Sequence, residues 1–202
     1  MIKRILRILL SVIMCGVALA FGITSVYAKA PTTSALEKTA DEILQTADAK
    51  TLLEDVGTSP ADWYLVAACG MEKAPEGTRE AYRNTIKSVY EDGGYGKITD
   101  AARVLIAYGM SGGDITDVTG DGKINAAREW LYENPKLLSS GINAMVFALQ
   151  ALDVGAVELP KDALHTKKEI IDAILALQLT SSGGFTLAGT VPDPDMTAMV
   201  IT

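Results

Sequence analysis

Two kinds of apolar pattern alternate along this chain of 202 residues. Segments of the first kind repeat apolar residues every three or four positions, so that one face is apolar and the opposite face is charged. Segments of the second kind are apolar on nearly every side. Because a one-faced helix needs one apolar neighbour whereas an all-apolar helix must be covered all round, the alternation predicts outer and inner helices in an all-α fold.

The one-faced segments predict outer helices at 34–47, 78–91, 125–133 and 166–179. Two of them open with the Ser/Thr-x-x-Glu pattern of a capping box, which begins at Ser34 and at Thr166. The all-apolar segments predict inner helices at 63–69, 101–108, 142–152 and from 196 onward. The core is expected to include Leu65, Val104, Leu105, Val146, Phe147, Ile174 and Leu175.

A short polar residue lies near the start of each inner helix, at spacings that lengthen from 38 to 52 residues: Asp62, Asp100, Asn143 and Asp195. Such spacings are typical of a helix-pair repeat, in which every second helix points the same way. The inner helices are therefore predicted to run parallel, with these polar residues at one rim. The residues either bind a ligand there or cap the helices. Asp193-Pro194 and Ser59-Pro60 have the form of an N-cap followed by a first-turn proline.

The N-terminus has the form of a signal peptide. Three basic residues precede an apolar run at 8–26, and Ala28 or Ala30 provides a small residue for cleavage. The alternatives are an uncleaved N-terminal anchor and a lipoprotein attached at Cys15. We predict an extracellular protein, secreted or at the cell surface, with a signal peptide at 1–28, a linker at 29–34 and one domain at 35–202. That domain is expected to be truncated, because Thr202 falls inside the last helix.

Charge narrows the range of partners. Removing the leader takes the formal charge from −7 to −10, because three cations and no acids are lost. A domain this acidic, with no cluster of Lys or Arg, is not expected to bind nucleic acid or anionic lipid. A small molecule or a surface protein is the expected partner. Contact with the membrane is expected only through the leader, before its cleavage. Cys69 is the one cysteine outside the leader, so no intrachain disulfide is expected.

Motifs near the C-terminus resemble those of a known family. Gln178 followed by Gly183-Gly184-Phe185 resembles the Gln-and-Trp repeat of the terpenoid cyclase and protein prenyltransferase superfamily, and Gly93-Gly94-Tyr95 resembles a weaker copy. The segment 193–200 resembles the Asp-x-Asp-Asp-Thr-Ala block of squalene-hopene-type cyclases. Region 35–202 also resembles secreted bacterial proteins of the prenyltransferase-like type, related to transcobalamin-like proteins. The resemblance implies an α/α toroid, an inner ring of parallel helices within an outer ring, and an open helical solenoid is the alternative.

The resemblance also bears on activity. It implies that Asp195, with Asp193 beside it, would act as a Brønsted acid on a polyprenyl substrate, but Met196 stands where the family has its last Asp. The predicted export and an aromatic content of only 6% favour a noncatalytic module that binds a ligand or partner in its central cavity. Zinc, which other members of the superfamily hold with Asp, Cys and His, is not expected, because only Cys69 and His165 are available.

A stretch that follows the second inner helix resembles the calcium loop of dockerins and EF-hands. Asp117, Thr119 and Asp121 stand at loop positions one, three and five, and Lys123 would supply a backbone carbonyl. The twelfth position, where a carboxylate normally closes the shell, is Arg128. The alternative is an Asp/Gly-rich turn. A calcium site so depleted is expected to bind only weakly, at about 1 mM.

Overall fold

Helices form all of the regular secondary structure in the part of the chain that the computed structural model describes, which is residues 55–201 together with Lys38 and Glu42. No strand occurs among those residues, so the predicted all-α class is confirmed for them. The elements are α1 (Ser59–Gly70), α2 (Glu76–Glu91), α3 (Ile98–Met110), a π-helical turn (Ala127–Tyr132), a 3-10 turn (Leu137–Ser139), α4 (Ile142–Val154), α5 (Lys167–Leu175) and α6 (Pro194–Ile201).

Burial follows the predicted alternation of helix types for α1 to α5, whereas α6, predicted as an inner helix, buries only Met196. Every residue of α3 from Ala101 to Tyr108 is buried, and α3 packs against both α1 and α4. In contrast, α2 buries one stripe of three aromatic or aliphatic residues, and α5 buries only Ile170 and Ile174. The outer helix α2 packs on α3, α5 packs on α4, and α6 also packs on α4. The core therefore lies around α3 and α4.

Contacts at both ends of α3 fix the direction of its neighbours. Near its N-terminus, Nε of Arg103 donates to Oδ2 of Asp62 in the first turn of α1. At its C-terminal end, a Cβ added to Gly109 would lie 2.8 Å from Cγ1 of Val154, the last residue of α4. Helices α1, α3 and α4 therefore run in the same direction, with their N-termini on one side.

Four helices end in the same way. After each of them one residue takes a left-handed conformation, and the next N–H donates to the carbonyl five residues earlier at 2.8–2.9 Å. This closure satisfies a carbonyl that has lost its helical partner, and it favours glycine at the left-handed position. The left-handed residues after α1, α2, α3 and α4 are Glu72, Gly93, Gly112 and Ala156.

Two predicted outer helices are shorter in the structure. Of the helix predicted at 125–133, only the π-helical turn forms. The N–H of Ala127 donates to the carbonyl of Ile115 at 2.9 Å, and this hydrogen bond connects the start of the segment to the preceding loop. The helix predicted at 166–179 ends at Leu175, because the N–H of Leu179 turns back to the carbonyl of Gly184 at 2.8 Å. The capping box at Thr166 and Glu169 is confirmed.

Five of the seven residues predicted to lie in the core are buried in the structure. Leu65, Val104, Leu105, Val146 and Ile174 are buried, whereas Phe147 is half-buried. The prediction that Leu175 is buried is wrong, since 52% of it is exposed. Leu175 lies one turn after Ile171 on a face of α5 that points away from α4. The leader and most of the predicted helix at 34–47 lie outside the described residues.

Candidate functional site

The four polar residues predicted at the rim lie in the first turns of the inner helices. The N-caps of α1, α3 and α4 are Thr58, Lys97 and Gly141, and none of these makes a side-chain capping hydrogen bond. The hypothesis that Asp62, Asp100 and Asn143 cap their helices is therefore wrong. Proline is tolerated in a first turn, and α1 accordingly begins one residue before Pro60 and not after Ser59.

Asp62 is the centre of a buried network that joins α1, α2 and α3. None of Asp62 is exposed. Its Oδ1 accepts the hydroxyl of Tyr82 at 2.7 Å and the N–H of Gly57 at 3.2 Å, and its Oδ2 accepts Nε of Arg103 at 2.8 Å. The same guanidinium donates to Oδ1 of Asp100 at 2.7 Å and to the carbonyl of Gly57 at 2.9 Å. One arginine thus holds two of the predicted rim carboxylates.

Burial acts differently on the two charges of this network. Desolvation raises the pKa of Asp62 and outweighs the opposing effects of Arg103, Tyr82 and the N–H of Gly57. Burial lowers the pKa of Arg103, but its hydrogen bonds and charge interactions with Asp62 and Asp100 raise it by more. The guanidinium is therefore firmly charged, and it supplies the positive charge that makes an ionised Asp62 tolerable in the core. The pKa of Tyr82 is raised by burial and by Asp62, so its hydroxyl stays protonated and donates.

The other two predicted rim residues have different surroundings. Oδ1 of Asn143 is buried and has no hydrogen-bond partner. The N–H of Asp195 donates to Oδ1 of Asp193 at 2.8 Å, and the N–H of Met196 donates to the same atom at 3.3 Å. Asp193 therefore caps α6, as predicted for Asp193-Pro194, and Asp195 is a half-buried first-turn residue. Among residues 55–201, no hydrogen bond or ion pair joins Asn143 or Asp195 to the Asp62 network.

An aromatic pair lies on two inner helices, at positions where the sequence predicts no site. Trp63 of α1 and Phe147 of α4 meet edge to face, with ring centroids 5.3 Å apart. Both side chains are half-buried, although α3 packs between their helices. The two rings therefore connect α1 with α4, both of which pack against α3. Asn143 precedes Phe147 by one turn on the same face of α4.

The Gly-Gly-Phe motif connects an outer helix to the next inner helix. Nε2 of Gln178 donates to the carbonyl of Gly183 at 2.7 Å, which closes the turn. The buried Phe185 donates its N–H to the hydroxyl oxygen of Thr197 on α6 at 2.9 Å. The side chain of Gln178 and the N–H of Phe185 thus hold α6 in place against the end of the turn.

The Gly-Gly-Tyr motif makes the equivalent connection between α2 and α3. Gly94 has a φ of 72°, a left-handed value that favours glycine, and an added Cβ would overlap the indole ring of Trp130. Nε1 of Trp130 donates to the carbonyl of Tyr95 at 3.0 Å, and its ring packs against Tyr90 with centroids 4.8 Å apart. Both motifs therefore have a structural role.

The calcium-like loop is folded around Asp117. Oδ1 of Asp117 accepts the backbone N–H groups of two glycines, both at 2.9 Å. The hydroxyl of Thr119 donates to Oδ1 of Asp121 at 2.6 Å, and Nζ of Lys123 lies 2.5 Å from Oδ2 of the same carboxylate. These hydrogen bonds lower the pKa of Asp121 to about 2, and the one from Lys123 has the largest effect. The predicted ligands are therefore close together, but Asp117 accepts backbone N–H groups, and Asp121 is engaged by Thr119 and Lys123.

Zinc ligands are not assembled in the described part of the chain. Burial raises the pKa of Cys69 to about 11, so its thiol stays protonated near neutral pH and is a poor ligand. Nε2 of His165 lies 3.0 Å from the carbonyl oxygen of Asn134. Residues 55–201 contain no group of three or more His, Cys, Asp or Glu side chains that could hold a metal ion.

Comparison of the chain with protein-family models, curated proteins and solved structures finds no match. No helix formed by the described residues combines the length and the apolar character needed to cross a lipid bilayer.

Proposed function

We propose that the protein is an exported, noncatalytic module whose inner helices form an arc of an α/α toroid, and that it binds a small apolar molecule or a partner on the inner side of that arc. Two features support the toroid: extensively buried helices alternate with one-faced helices from α1 to α5, and α1, α3 and α4 share a common direction. The motifs that resemble the terpenoid cyclase and protein prenyltransferase superfamily point to the same architecture.

The aromatic pair is the observation that carries the binding proposal. Contact with water is unfavourable for large aromatic side chains, and ligand sites are concave surfaces lined mainly by apolar and aromatic groups. Trp63 and Phe147 are half-buried, and their rings meet edge to face on what would be the inner side of the arc. Asp100, in the first turn of α3, has a side chain that is 39% exposed and a carboxylate that is already paired with Arg103. The surface therefore suits a ligand that is apolar and carries no negative charge.

The alternative, a cyclase-like enzyme with Asp195 as its Brønsted acid, has less support. Oδ1 of Asp193, the companion carboxylate that the resemblance implies, is engaged by two backbone N–H groups as the cap of α6. A helix cap explains the presence of this residue without any catalytic role. Met196, at the position of the family's last Asp, is buried and apolar.

Binding of the neutral dye Nile red, followed by its fluorescence, tests the proposed surface. Wild-type protein is expected to bind the dye saturably, and replacement of both Trp63 and Phe147 by alanine is expected to weaken binding by about tenfold, since each ring contributes roughly 0.5–1.5 kcal/mol. Circular dichroism establishes that the variant remains helical.

The matched control is Leu187→Ala, which removes an apolar side chain that is 62% exposed in the loop before α6. This variant is expected to bind the dye as wild type does. Undiminished binding by the double aromatic variant, or an equal loss in Leu187→Ala, would show that the dye reports a general apolar surface and would contradict the proposal.

A further inference from the structure

Lysine ammonium groups contact the loop at which the sequence resembles a calcium site. We propose that the loop from Asp117 to Lys123 is held by the side chains of Lys87 and Lys123, and that it folds without a calcium ion. This inference concerns a part of the molecule that is separate from the proposed binding surface.

Lys87 connects the loop to an outer helix. Its Nζ, on α2, donates to the carbonyl of Thr119 at 2.8 Å. Only 9% of Thr119 is exposed, so loss of this charged donor would leave a shielded carbonyl with a weaker partner or none. Lys123 contacts Asp121 from the other end of the loop, and the charge of Glu91, near the end of α2, also stabilises its ammonium.

The predicted shell does not fit a calcium ion. Calcium takes about six to eight oxygen ligands, and this loop offers two carboxylates. Oδ1 of Asp117 is engaged by backbone N–H groups, and both oxygens of Asp121 are engaged by Lys123 and Thr119. A calcium ion would have to displace the ammonium group of Lys123 and rotate the hydroxyl of Thr119 away from Asp121. In addition, the position where a closing carboxylate is expected is occupied by Arg128, a cation.

Hydrogen exchange of the wild-type and variant proteins tests the role of the lysines. In a Lys87→Met, Lys123→Met double variant, the amides of Gly120 and Gly122 are expected to exchange roughly tenfold faster, which corresponds to the loss of one or two charge-assisted hydrogen bonds. Amides of α3 are expected to keep their exchange rates, which distinguishes a loosened loop from a destabilised fold. The matched control is Lys167→Met, which breaks an ion pair with Asp153 elsewhere on the surface.

The response of the protein to calcium is the second test of the proposal. The melting temperature of the wild-type protein is expected to be equal in chelator and in about 10 mM calcium, a concentration above the dissociation constants of weak extracellular calcium modules. Unchanged amide exchange in the double lysine variant would overturn the proposal. A rise in melting temperature with calcium that is absent in Asp121→Ala would also overturn it.

Discussion

Replacing Arg103 by methionine removes the positive charge beside Asp62 and keeps most of the apolar volume of the side chain. The variant leaves a fully buried carboxylate with only the Tyr82 hydroxyl and the Gly57 N–H as donors. Breaking a buried ion pair from one side typically costs about 3–5 kcal/mol, because the remaining charge is uncompensated. In a domain of this size that loss lowers the melting temperature by roughly 10 °C.

The pH dependence of this effect follows from the pKa of Asp62. Burial raises that pKa above its value in the unfolded chain, so the folded protein binds the proton more tightly, and acidification stabilises the fold through this group. Without Arg103 the hydrogen bond and the charge that lower the pKa are lost, and the pKa rises further. The difference in unfolding free energy between wild type and Arg103→Met is therefore expected to shrink as the pH falls from neutral, because a protonated Asp62 needs no positive partner.

Thermal unfolding followed by circular dichroism measures both effects. The double variant Asp62→Leu, Arg103→Met is expected to recover part of this loss, because the uncompensated charge is gone; the recovery is incomplete because the buried hydroxyl of Tyr82 loses its acceptor. Lys168→Met, which breaks an exposed ion pair with Asp172, is the control and is expected to change nothing measurable. A single variant that loses less than about 1 kcal/mol, or a double variant no more stable than the single one, would refute the reasoning.

Four further expectations concern Gly94, the cap of α6, the absence of polyprenyl cyclisation and Asn143. Gly94→Ala is expected to lower the unfolding free energy in urea by about 2 kcal/mol or more, because its φ of 72° is strained for alanine and the methyl group would overlap Trp130; a loss below about 1 kcal/mol would contradict this. Asp193→Ala is expected to cost about 1 kcal/mol in the same assay and Asp195→Asn much less, because Asp193 is the cap, and equal costs would count against that assignment. Incubation of the protein with a polyprenyl substrate is expected to give no cyclised product; a product that disappears in Asp195→Asn would overturn the noncatalytic proposal. Asn143→Ala is expected to leave stability unchanged or raise it by up to about 1 kcal/mol, because Oδ1 has no partner to lose, whereas a clear loss would reveal an unrecognised hydrogen bond.

Local pattern was sufficient to predict where most of the described helices lie. Helix α2, predicted at 78–91, spans Glu76–Glu91, and α4, predicted at 142–152, spans Ile142–Val154. The first predicted outer helix is described only at Lys38 and Glu42, which are helical, exposed and joined by an ion pair at 3.8 Å. These predictions succeed because apolar periodicity directly reflects which face of a helix is buried.

Long-range contacts explain what local pattern missed. The segment 125–133 has the periodicity of a helix. However, the N–H of Ala127 donates to the carbonyl of Ile115, and Nε1 of Trp130 donates to the carbonyl of Tyr95, 35 residues away in sequence. Arg103 was included in an all-apolar inner helix, although its position three residues after Asp100 is typical of a helical ion pair. Its main partner, Asp62, is 41 residues away, and no local pattern indicates that pairing.

A polar residue near the start of each inner helix is a regular feature of this chain, but the surroundings of that residue decide its role. Asp62 is fully buried because Arg103 and Tyr82 converge on it, and the described residues show no equivalent arginine beside Asn143 or Asp195. A ligand that approaches the rim would therefore meet Asp100, part of whose side chain is exposed, and not Asp62. Since the charge of Asp100 is already paired, the attraction on this side of the molecule would come mainly from the rings of Trp63 and Phe147. The repeat thus predicts where polar residues lie, whereas the proposed recognition would depend on aromatic residues that do not follow the repeat.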